Sequence, residues 1–290
     1  MSDDLATVAP ARLGVLGGGR MGAGIAHAFL LAGSRVHIVE RDADSVAAAS
    51  SRVLQSVERS LEREATSRSE GALRAAFSVG TDIAGFADAD LVIEAVPEDR
   101  NLKADALARA EAAISETATL ASNTSSISIN DLAGALSRPA QFLGLHFFNP
   151  VPTSALVEVV VGTATNPALI EAARGWVTAI EKTPVVVRDS PGFASSRLGV
   201  ALGLEAIRMV EEGVASAADI DAAMVLGYKH PVGPLQTTDI VGLDVRLGIA
   251  EELHRALGVR FEPPELLRQM VTEGKLGRKS GEGFYVWENN

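Results

Sequence analysis

A glycine-rich turn between two short apolar runs is the feature that most constrains how this chain can fold. Residues 13–16 form an apolar run that leads directly into Gly17-Gly-Gly19-Arg-Met-Gly22. Apolar residues then recur at helical spacing until Gly33, and a second apolar run ends at Glu40. The order of strand, glycine turn, helix and strand predicts a βαβ unit.

Each glycine of this turn has a separate role if the unit binds a dinucleotide. Gly17 permits the tight turn, Gly19 lets backbone amides approach a pyrophosphate, and Gly22 lets the helix lie close to the strand. Arg20 and Met21 lie where that helix begins. Because the first N–H groups of a helix attract anions, we include both among the candidate cofactor contacts.

The residue that ends the second strand favours NAD over NADP. Glu40 follows Gly17 at about the 20-residue offset at which an acid meets the ribose 2′-hydroxyl of NAD. A carboxylate at that position repels a 2′-phosphate. Arg41, the next residue, would attract a 2′-phosphate, so NADP remains the second candidate cofactor.

Charge and composition exclude several classes of function. The net charge of −11 and the aromatic content of 4% argue against a nucleic-acid partner. The chain has no cysteine, which excludes disulfides, iron–sulfur clusters, thiolate nucleophiles and cysteine-bound zinc. The amino terminus is acidic and no apolar run is long enough to span a bilayer, so we expect a cytoplasmic protein without a membrane partner.

The pattern of apolar runs predicts two domains. Buried strands alternate with helical segments as far as residue 188, which predicts an α/β fold of Rossmann type over residues 1–188, with a mostly parallel sheet and helices on both faces. Ser190 as N-cap and Pro191 at the first helical position predict a helix that runs to Glu212. Only helical patterns follow, so residues 189–290 are predicted to form an all-α domain.

Three cations and a hydroxyl share one face of the helix predicted for residues 44–65. Arg52, Ser56, Arg59 and Arg63 follow one another at intervals of four, three and four residues. The face is interpreted either as a solvated surface balanced by neighbouring glutamates or as a phosphate-binding stripe.

Polar residues follow two of the predicted buried strands. Glu98 comes after the strand at residues 91–96, and Asn-Thr-Ser-Ser at residues 123–126 follows the strand at residues 118–122. Ligands of open parallel sheets bind at the carboxyl ends of the strands, so both segments are predicted to face one crevice.

His146 and Glu158 interrupt two neighbouring apolar runs. An ionised carboxylate buried in a strand costs several kcal/mol unless it is paired, and His146 becomes its partner if the two strands lie side by side. A carboxylate on one ring nitrogen fixes the imidazole tautomer and leaves the other nitrogen to accept a proton. The alternative is a buried hydrogen bond without a catalytic role. The remaining histidines are His27, His37, His230 and His254, of which His27 and His37 are interpreted as structural.

The chain resembles the 3-hydroxyacyl-CoA dehydrogenase family over nearly its whole length, and the His-Phe-Phe-Asn-Pro run is the most specific part of the match. The resemblance rests on Gly17-x-Gly19-x-x-Gly22-Ala-Gly-Ile, Val92-Ile-Glu-Ala-Val-Pro-Glu98, Ala121-Ser-Asn-Thr-Ser-Ser126, His146-Phe-Phe-Asn-Pro-Val-Pro152, Leu156-Val-Glu-Val159, Asp189-Ser-Pro-Gly-Phe193 and Gly274-Lys-Leu-Gly-Arg-Lys-Ser-Gly-Glu-Gly-Phe-Tyr285.

This resemblance implies NAD-dependent, reversible oxidation of a (3S)-3-hydroxyacyl-CoA, such as 3-hydroxybutyryl-CoA, to the 3-oxoacyl-CoA. It implies that His146 is the general base and that Glu158 orients it. Ser125 would hydrogen-bond the 3-oxygen of the substrate, and Asn149 would lie close to the nicotinamide and the substrate. Relatives carry asparagine at the position of Ser196, so a supporting role for Ser196 is carried over with a shorter side chain.

The resemblance also assigns contacts to the cofactor, to coenzyme A and to a second copy. Glu98, Lys103 and Lys279 match positions associated with NAD. Ser56 and Arg63 match positions that contact coenzyme A, and Arg52 shares their helix face. The family implies a homodimer formed through the carboxy-terminal helical domain.

Two other functions remain open on the sequence. Related folds oxidise free hydroxy acids such as sugar acids, and dependence on coenzyme A separates them from the acyl-CoA enzymes. A non-enzymatic descendant, resembling a lens crystallin or an NAD sensor, is the other alternative, and His146, Glu158 and Ser125 argue against it.

Overall fold

The structure, a computed structural model, describes residues 8–288, and the chain divides after Asp189 into two compact units. The acidic residues Asp3 and Asp4, on which the expectation of no leader peptide partly rests, lie outside the described residues. Within residues 8–288, none of the helices has the length and apolar character needed to cross a membrane.

The first unit is built on one eight-stranded sheet. The spatial order is β3-β2-β1-β4-β5-β6-β7-β8, and every neighbouring pair is parallel except the antiparallel pair β6–β7. The strands are β1 (Arg12–Leu16), β2 (Arg35–Val39), β3 (Phe77–Gly80), β4 (Leu91–Glu94), β5 (Thr119–Ser122), β6 (Phe142–Phe147), β7 (Leu156–Val161) and β8 (Thr183–Arg188). The predicted Rossmann-type α/β fold is confirmed.

In residues 8–189, six α-helices accompany the sheet, and their apolar faces form its core. They are α1 (Arg20–Leu31), α2 (Ala43–Glu62), α3 (Glu70–Ala75), α4 (Arg100–Ala113), α5 (Ile129–Ala133) and α6 (Pro167–Ala179). Ile25 and Phe29 of α1 are fully buried, in one core with Val15 of β1 and Ile93 of β4. Burial of each such side chain contributes about 1.5–3 kcal/mol, so this core holds the glycine turn rigidly at the end of β1.

The turn between β1 and α1 requires glycine at two positions. Gly17 has φ of +94°, a conformation that residues with a side chain rarely adopt. A Cβ atom placed on Gly22 would lie 1.9 Å from the Gly17 carbonyl oxygen. The helix can therefore pack this closely against the turn only if residue 22 has no side chain.

The second unit, as far as it is described, contains five α-helices around its own core. They are α7 (Ser195–Glu211), α8 (Ala217–Tyr228), α9 (Pro234–Val241), α10 (Leu243–Leu257) and α11 (Glu265–Thr272). Its described part, residues 190–288, contains isolated β-bridges but no strand. The predicted helical carboxy-terminal half is confirmed. Leu204, Ile207 and Leu253 are fully buried in its core.

The predicted start of the first helix in the second unit is wrong. That helix, α7, begins at Ser195 and not at Pro191. Gly192 and Phe193 have positive φ values of 72° and 50°, which a right-handed helix does not allow. The Ser190 carbonyl instead accepts the Phe193 N–H at 2.8 Å, which closes a turn before the helix.

Candidate active site

His146 and Glu158 face each other across the only antiparallel strand pair described in residues 8–288. They are opposite residues in the β6–β7 register, so their side chains lie on the same face of the sheet. The distance from His146 Nδ1 to Glu158 Oε2 is 2.8 Å. His146 is 5% exposed and Glu158 is 0% exposed. The predicted contact between the two side chains is confirmed.

This contact defines the protonation chemistry of the ring. The acceptor on Nδ1 is a carboxylate, so Nδ1 carries the hydrogen and Nε2 carries the lone pair in the neutral imidazole. Phe148 packs against the ring with centroids 4.4 Å apart, which limits its rotation. The arrangement therefore orients an imidazole whose Nε2 can accept a proton and whose protonated form a buried carboxylate stabilises.

The Glu98 carboxylate accepts several hydrogen bonds from the polar turn that follows β5. Its Oε1 accepts hydrogen bonds from the Thr124 hydroxyl at 2.6 Å and from the backbone N–H groups of Ser125 and Ser126 at 2.9 and 3.1 Å. The Ser125 hydroxyl lies 3.2 Å from the same oxygen. The structure therefore brings together the two segments, Glu98 and residues 123–126, that were predicted to share one crevice.

Lys103 lies beneath this turn and is almost completely buried. Its Nζ donates to Glu94 Oε1 at 2.8 Å and to the Val96 carbonyl at 3.1 Å, and it lies 3.2 Å from Glu98 Oε2. An ammonium group has three N–H donors, and these acceptors use all of them. These contacts indicate that Lys103 holds the Glu98 carboxylate in place.

The two carboxyls on Lys103 respond differently to their surroundings. Burial raises the pKa of Glu94, against the opposing effect of the Lys103 charge. Burial also acts to raise the pKa of Glu98, but the Lys103 charge and the hydrogen bonds from Thr124 and Ser125 outweigh it, so the pKa of Glu98 is lowered. Glu98 is therefore held as an anion.

Two residues that support the site, Glu94 and Lys182, were not predicted, and Asn123 was predicted to face the crevice but without its contact. Glu94 ends β4 fully buried and accepts the Ser122 hydroxyl at 2.5 Å. Asn123 Oδ1 accepts the N–H of Phe147, the residue after His146, at 2.9 Å. Lys182 donates to two carbonyls of the β6–β7 link, those of Val151 and Ser154, at 2.6 Å each. Glu94 interrupts an apolar strand just as Glu158 does, so the same signal identifies it.

The glycine turn fits a dinucleotide. A Cβ atom on Gly19 would meet no atom within 4 Å, so the backbone there is open to a ligand. Glu40 Oε1 accepts the Gly18 N–H at 2.6 Å, which places the acid beside the turn. Arg41 is directed to Asp42, with Nε 2.9 Å from Oδ2. Arg20 and Met21 open α1 directly after the turn, as predicted.

A cavity of about 860 Å³ in the first unit contains part of the predicted phosphate-binding stripe. Ser56, Arg59 and Arg63 line it, together with Arg68 and Lys182. Arg52 does not line this cavity, and its Nη1 donates to the Gly18 carbonyl at 3.3 Å.

Three further predicted site residues lie apart from these contacts. Asn149 is exposed in the link that follows β6. Ser196 lies half-buried in the first turn of α7. Lys279 belongs to the second unit, where its Nζ contacts Asp244 Oδ1 and Oδ2 at 2.5 and 2.6 Å. That ion pair and the hydrogen bonds of Asp244 overcome the effect of burial and lower the pKa of Asp244.

Comparison with known proteins relates the two units to two family models. Residues 12–190 match the 3-hydroxyacyl-CoA dehydrogenase NAD binding domain, and residues 192–287 match the 3-hydroxyacyl-CoA dehydrogenase C-terminal domain. The chain is 40% identical over 280 residues to the 3-hydroxybutyryl-CoA dehydrogenase of Mycobacterium tuberculosis. The aligned region covers 95% of this chain and 98% of that one.

Two more distant relatives match over the same extent. The mitochondrial hydroxyacyl-coenzyme A dehydrogenase of Homo sapiens is 38% identical over 287 residues, covering 94% of this chain and 90% of that one. The crystal structure of the (S)-3-hydroxybutyryl-CoA dehydrogenase from Ralstonia eutropha superposes with a TM-score of 0.91 at 36% identity. That match covers 97% of this chain and 100% of that chain.

Proposed function

The chain belongs to the 3-hydroxyacyl-CoA dehydrogenase family, and we propose that His146 and Glu158 form the general base of this activity. The protein is an NAD-binding oxidoreductase of this family. The observation that carries the proposal is the 2.8 Å contact between His146 Nδ1 and the fully buried Glu158 carboxylate. A buried carboxylate stabilises the imidazolium that forms when Nε2 accepts a proton.

The proposed reaction oxidises the secondary alcohol of a (3S)-3-hydroxyacyl-CoA to a ketone. His146 Nε2 removes the hydroxyl proton as the C3–H bond breaks and the carbon–oxygen double bond forms. NAD supplies the acceptor of the hydride when it is bound at the turn that contains Gly17, Gly19 and Gly22. In the reverse direction, the His146 imidazolium returns the proton to the 3-oxygen. Glu158 keeps its charge throughout and orients the ring.

Ser125 is the proposed hydrogen-bond donor to the substrate oxygen. Its backbone N–H is bound by Glu98, which Lys103 and the Thr124 hydroxyl fix in turn. In the structure the Ser125 hydroxyl donates to Glu98 Oε1 at 3.2 Å, so its hydrogen turns from that carboxylate to the substrate oxygen when substrate binds. Asn149 and Ser196 keep the roles that the resemblance implies, near the nicotinamide and the substrate, and Lys279 keeps its proposed association with NAD.

Coenzyme A is proposed to bind along Ser56 and Arg63, with Arg52 nearer the glycine turn. Ser56 and Arg63 line the same cavity, and no described residue forms an ion pair with Arg63. Cations without carboxylate partners, on a chain with a net charge of −11, attract phosphates locally.

A homodimer through the second unit is proposed from its exposed apolar side chains. Leu226 and Tyr228, at the end of α8, are each 74% exposed, and Val214 is 59% exposed. A contiguous patch of exposed apolar side chains marks a contact surface, and Leu226 and Tyr228 are close together at the end of one helix. Leu226→Asp should shift the dimer to monomer in light-scattering chromatography, whereas an unchanged mass would remove this surface from the interface. We place the enzyme in the cytoplasm, where NAD and acyl-CoA are both found.

The direct test of the function is oxidation of NADH with acetoacetyl-CoA, repeated with NADPH. We expect turnover with NADH and a higher KM with NADPH, because Glu40 repels a 2′-phosphate. The absence of turnover with any 3-oxoacyl-CoA would overturn the proposal and favour the non-enzymatic alternative.

Arg63→Ala tests the acyl-CoA assignment against oxidation of free hydroxy acids. We expect KM for acetoacetyl-CoA to rise about tenfold with little change in kcat, because loss of one charged hydrogen bond costs about 1.5–3 kcal/mol. Arg109→Ala, at an exposed arginine of α4 that pairs with Asp105, is the matched control. An unchanged KM in Arg63→Ala, together with turnover of free 3-hydroxybutyrate, would favour the free-acid enzyme.

A further inference from the structure

Lys182, which directly precedes β8, is a buried lysine whose ammonium group holds the link between β6 and β7. The residue is 9% exposed. Its Nζ donates to the carbonyl oxygens of Val151 and Ser154, each at 2.6 Å. No other acceptor in residues 8–288 bonds this ammonium group. Because an ammonium group has three N–H donors, one donor remains for a ligand.

The positive charge of Lys182 has no carboxylate partner in the part of the chain that the structure describes. Burial lowers the pKa of Lys182, and no neighbouring carboxylate opposes this effect. The same charge acts to lower the pKa of His27. A buried cation is destabilising unless an anion compensates it, so an anion that reaches Nζ is bound favourably.

The Lys182 side chain lines the cavity of about 860 Å³ that also contains Ser56 and Arg63. The charged residues of the cavity lining are four cations and two carboxylates, namely Arg59, Arg63, Arg68, Lys182, Glu64 and Glu181. None of the three arginines forms an ion pair with a described residue. A net positive lining, on a chain with a net charge of −11, favours a phosphate as the ligand.

The link that Lys182 holds, residues 148–155, connects this cavity with the proposed general base. Its first residue, Phe148, packs against the ring of His146, and Asn149 follows. Most of the later residues line the cavity: Pro150, Pro152, Thr153, Ser154 and Ala155. One ammonium group therefore contacts the segment that carries Asn149 and also borders the space assigned to coenzyme A.

We propose that the third N–H of Lys182 binds a phosphate of coenzyme A, and that Lys182 thereby joins the coenzyme A site to the segment that carries Asn149. The inference rests on the proposed function, because coenzyme A is the ligand of the cavity in that account. Binding energy from a part of the substrate that does not react is then used to fix a segment beside the reacting atoms. Lys182 is a positioning residue for Asn149, and the hydride and proton transfers do not pass through it.

The test compares acetoacetyl-CoA with acetoacetyl-pantetheine, which lacks the adenosine and the phosphates. In Lys182→Met, we expect KM for acetoacetyl-CoA to rise about tenfold, because one charge-assisted hydrogen bond is lost, and KM for the pantetheine thioester to stay within about twofold. kcat should fall about tenfold with both substrates, because Asn149 is positioned less well. Lys182→Arg should restore KM for acetoacetyl-CoA, because it retains the charge and the N–H donors.

Calorimetric titration with free coenzyme A and with pantetheine measures binding without turnover. Lys182→Met should raise Kd for coenzyme A about tenfold and should leave Kd for pantetheine unchanged. Arg188→Met is the control, because Arg188 is an exposed cation at the opposite end of β8. It should change neither Kd nor either KM. If Lys182→Met does not fold, Lys182→Gln replaces it, because the amide keeps two N–H donors for the link and has no charge.

The outcomes separate this inference from the proposed function. A lower kcat in Lys182→Met with unchanged KM and Kd for coenzyme A would show that Lys182 acts only on the fold, and would overturn the inference. An equal rise in KM for the two thioesters would mean that no phosphate is bound, and would also overturn it. The proposed function fails instead if the unmodified chain neither binds coenzyme A nor reduces acetoacetyl-CoA.

Discussion

Two buried histidines of the first unit, His146 and His27, show how the partner of an imidazole decides its chemistry. His146 lies opposite the Glu158 carboxylate on adjacent strands, 2.8 Å away. His27 lies on α1, where its Nε2 is 2.9 Å from the Ser60 hydroxyl of α2. Burial lowers the pKa of His27, with the Lys182 charge acting in the same direction, against the opposing effect of the Ser56 backbone. Burial alone therefore produces a neutral structural histidine, and a buried carboxylate is needed to stabilise the imidazolium.

Replacement of the two histidines by glutamine tests this comparison with the largest expected effect. His146→Gln should lower kcat for 3-hydroxybutyryl-CoA oxidation about 10²–10⁴-fold, because the general base is lost. His27→Gln should remain within about threefold of the unmodified chain. Equal losses of kcat in the two variants, measured by NADH formation, would mean that both histidines affect activity only by stabilising the fold.

Replacement of Glu158 and Ser60, the partners of the two histidines, should give a smaller difference in kcat. Glu158→Gln should lower kcat by at least about tenfold, because a neutral amide orients the ring but does not stabilise its charged form. Ser60→Ala, the matched change beside His27, should have little effect on kcat.

The double variant His146→Gln/Glu158→Gln tests whether the two residues act as one unit. Residues that act as a unit show non-additive losses, so the double variant should be no slower than His146→Gln alone. A further loss equal to that of Glu158→Gln would show that Glu158 contributes independently of the ring.

The pH dependence of stability gives the smallest expected effect. The pKa of His27 is lowered in the folded state, so below about pH 6.5 the unfolded chain binds a proton that the folded chain does not. Folded-state stability is therefore retained above the unfolded pKa and declines as the pH falls from about 6.5 towards the folded pKa. The stability of His27→Gln in thermal unfolding should decline less over this window, and His254→Gln, at a half-buried helix position, should follow the unmodified chain.

The sequence predicted the parts of the site that depend on local pattern. A glutamate within an apolar strand requires a partner, and the short link between β6 and β7 made His146 that partner. Glu98 and Ser125 were predicted to meet because both follow parallel strands whose carboxyl ends share one edge of the sheet.

Other contacts depend on three-dimensional distances that a pattern does not contain. The stripe on α2 predicted one face for Arg52 and Arg63, but 11 residues of helix separate them by about 16 Å along the axis. Arg52 therefore reaches the Gly18 carbonyl, whereas Arg63 lines the cavity. The buried position of Lys103 was not predicted, since lysine on a helix usually lies at the surface. The start of α7 was misplaced because the positive φ of Phe193 has no signal in an apolar residue.

The pH dependence of kcat/KM for 3-hydroxybutyryl-CoA oxidation tests the role of His146 most directly. We expect the activity to fall on the acid side as one group becomes protonated, because a protonated imidazole cannot accept the hydroxyl proton. We expect this acid limb to be absent from the residual activity of His146→Gln. The same acid limb in His146→Gln, with activity near that of the unmodified chain, would contradict the account.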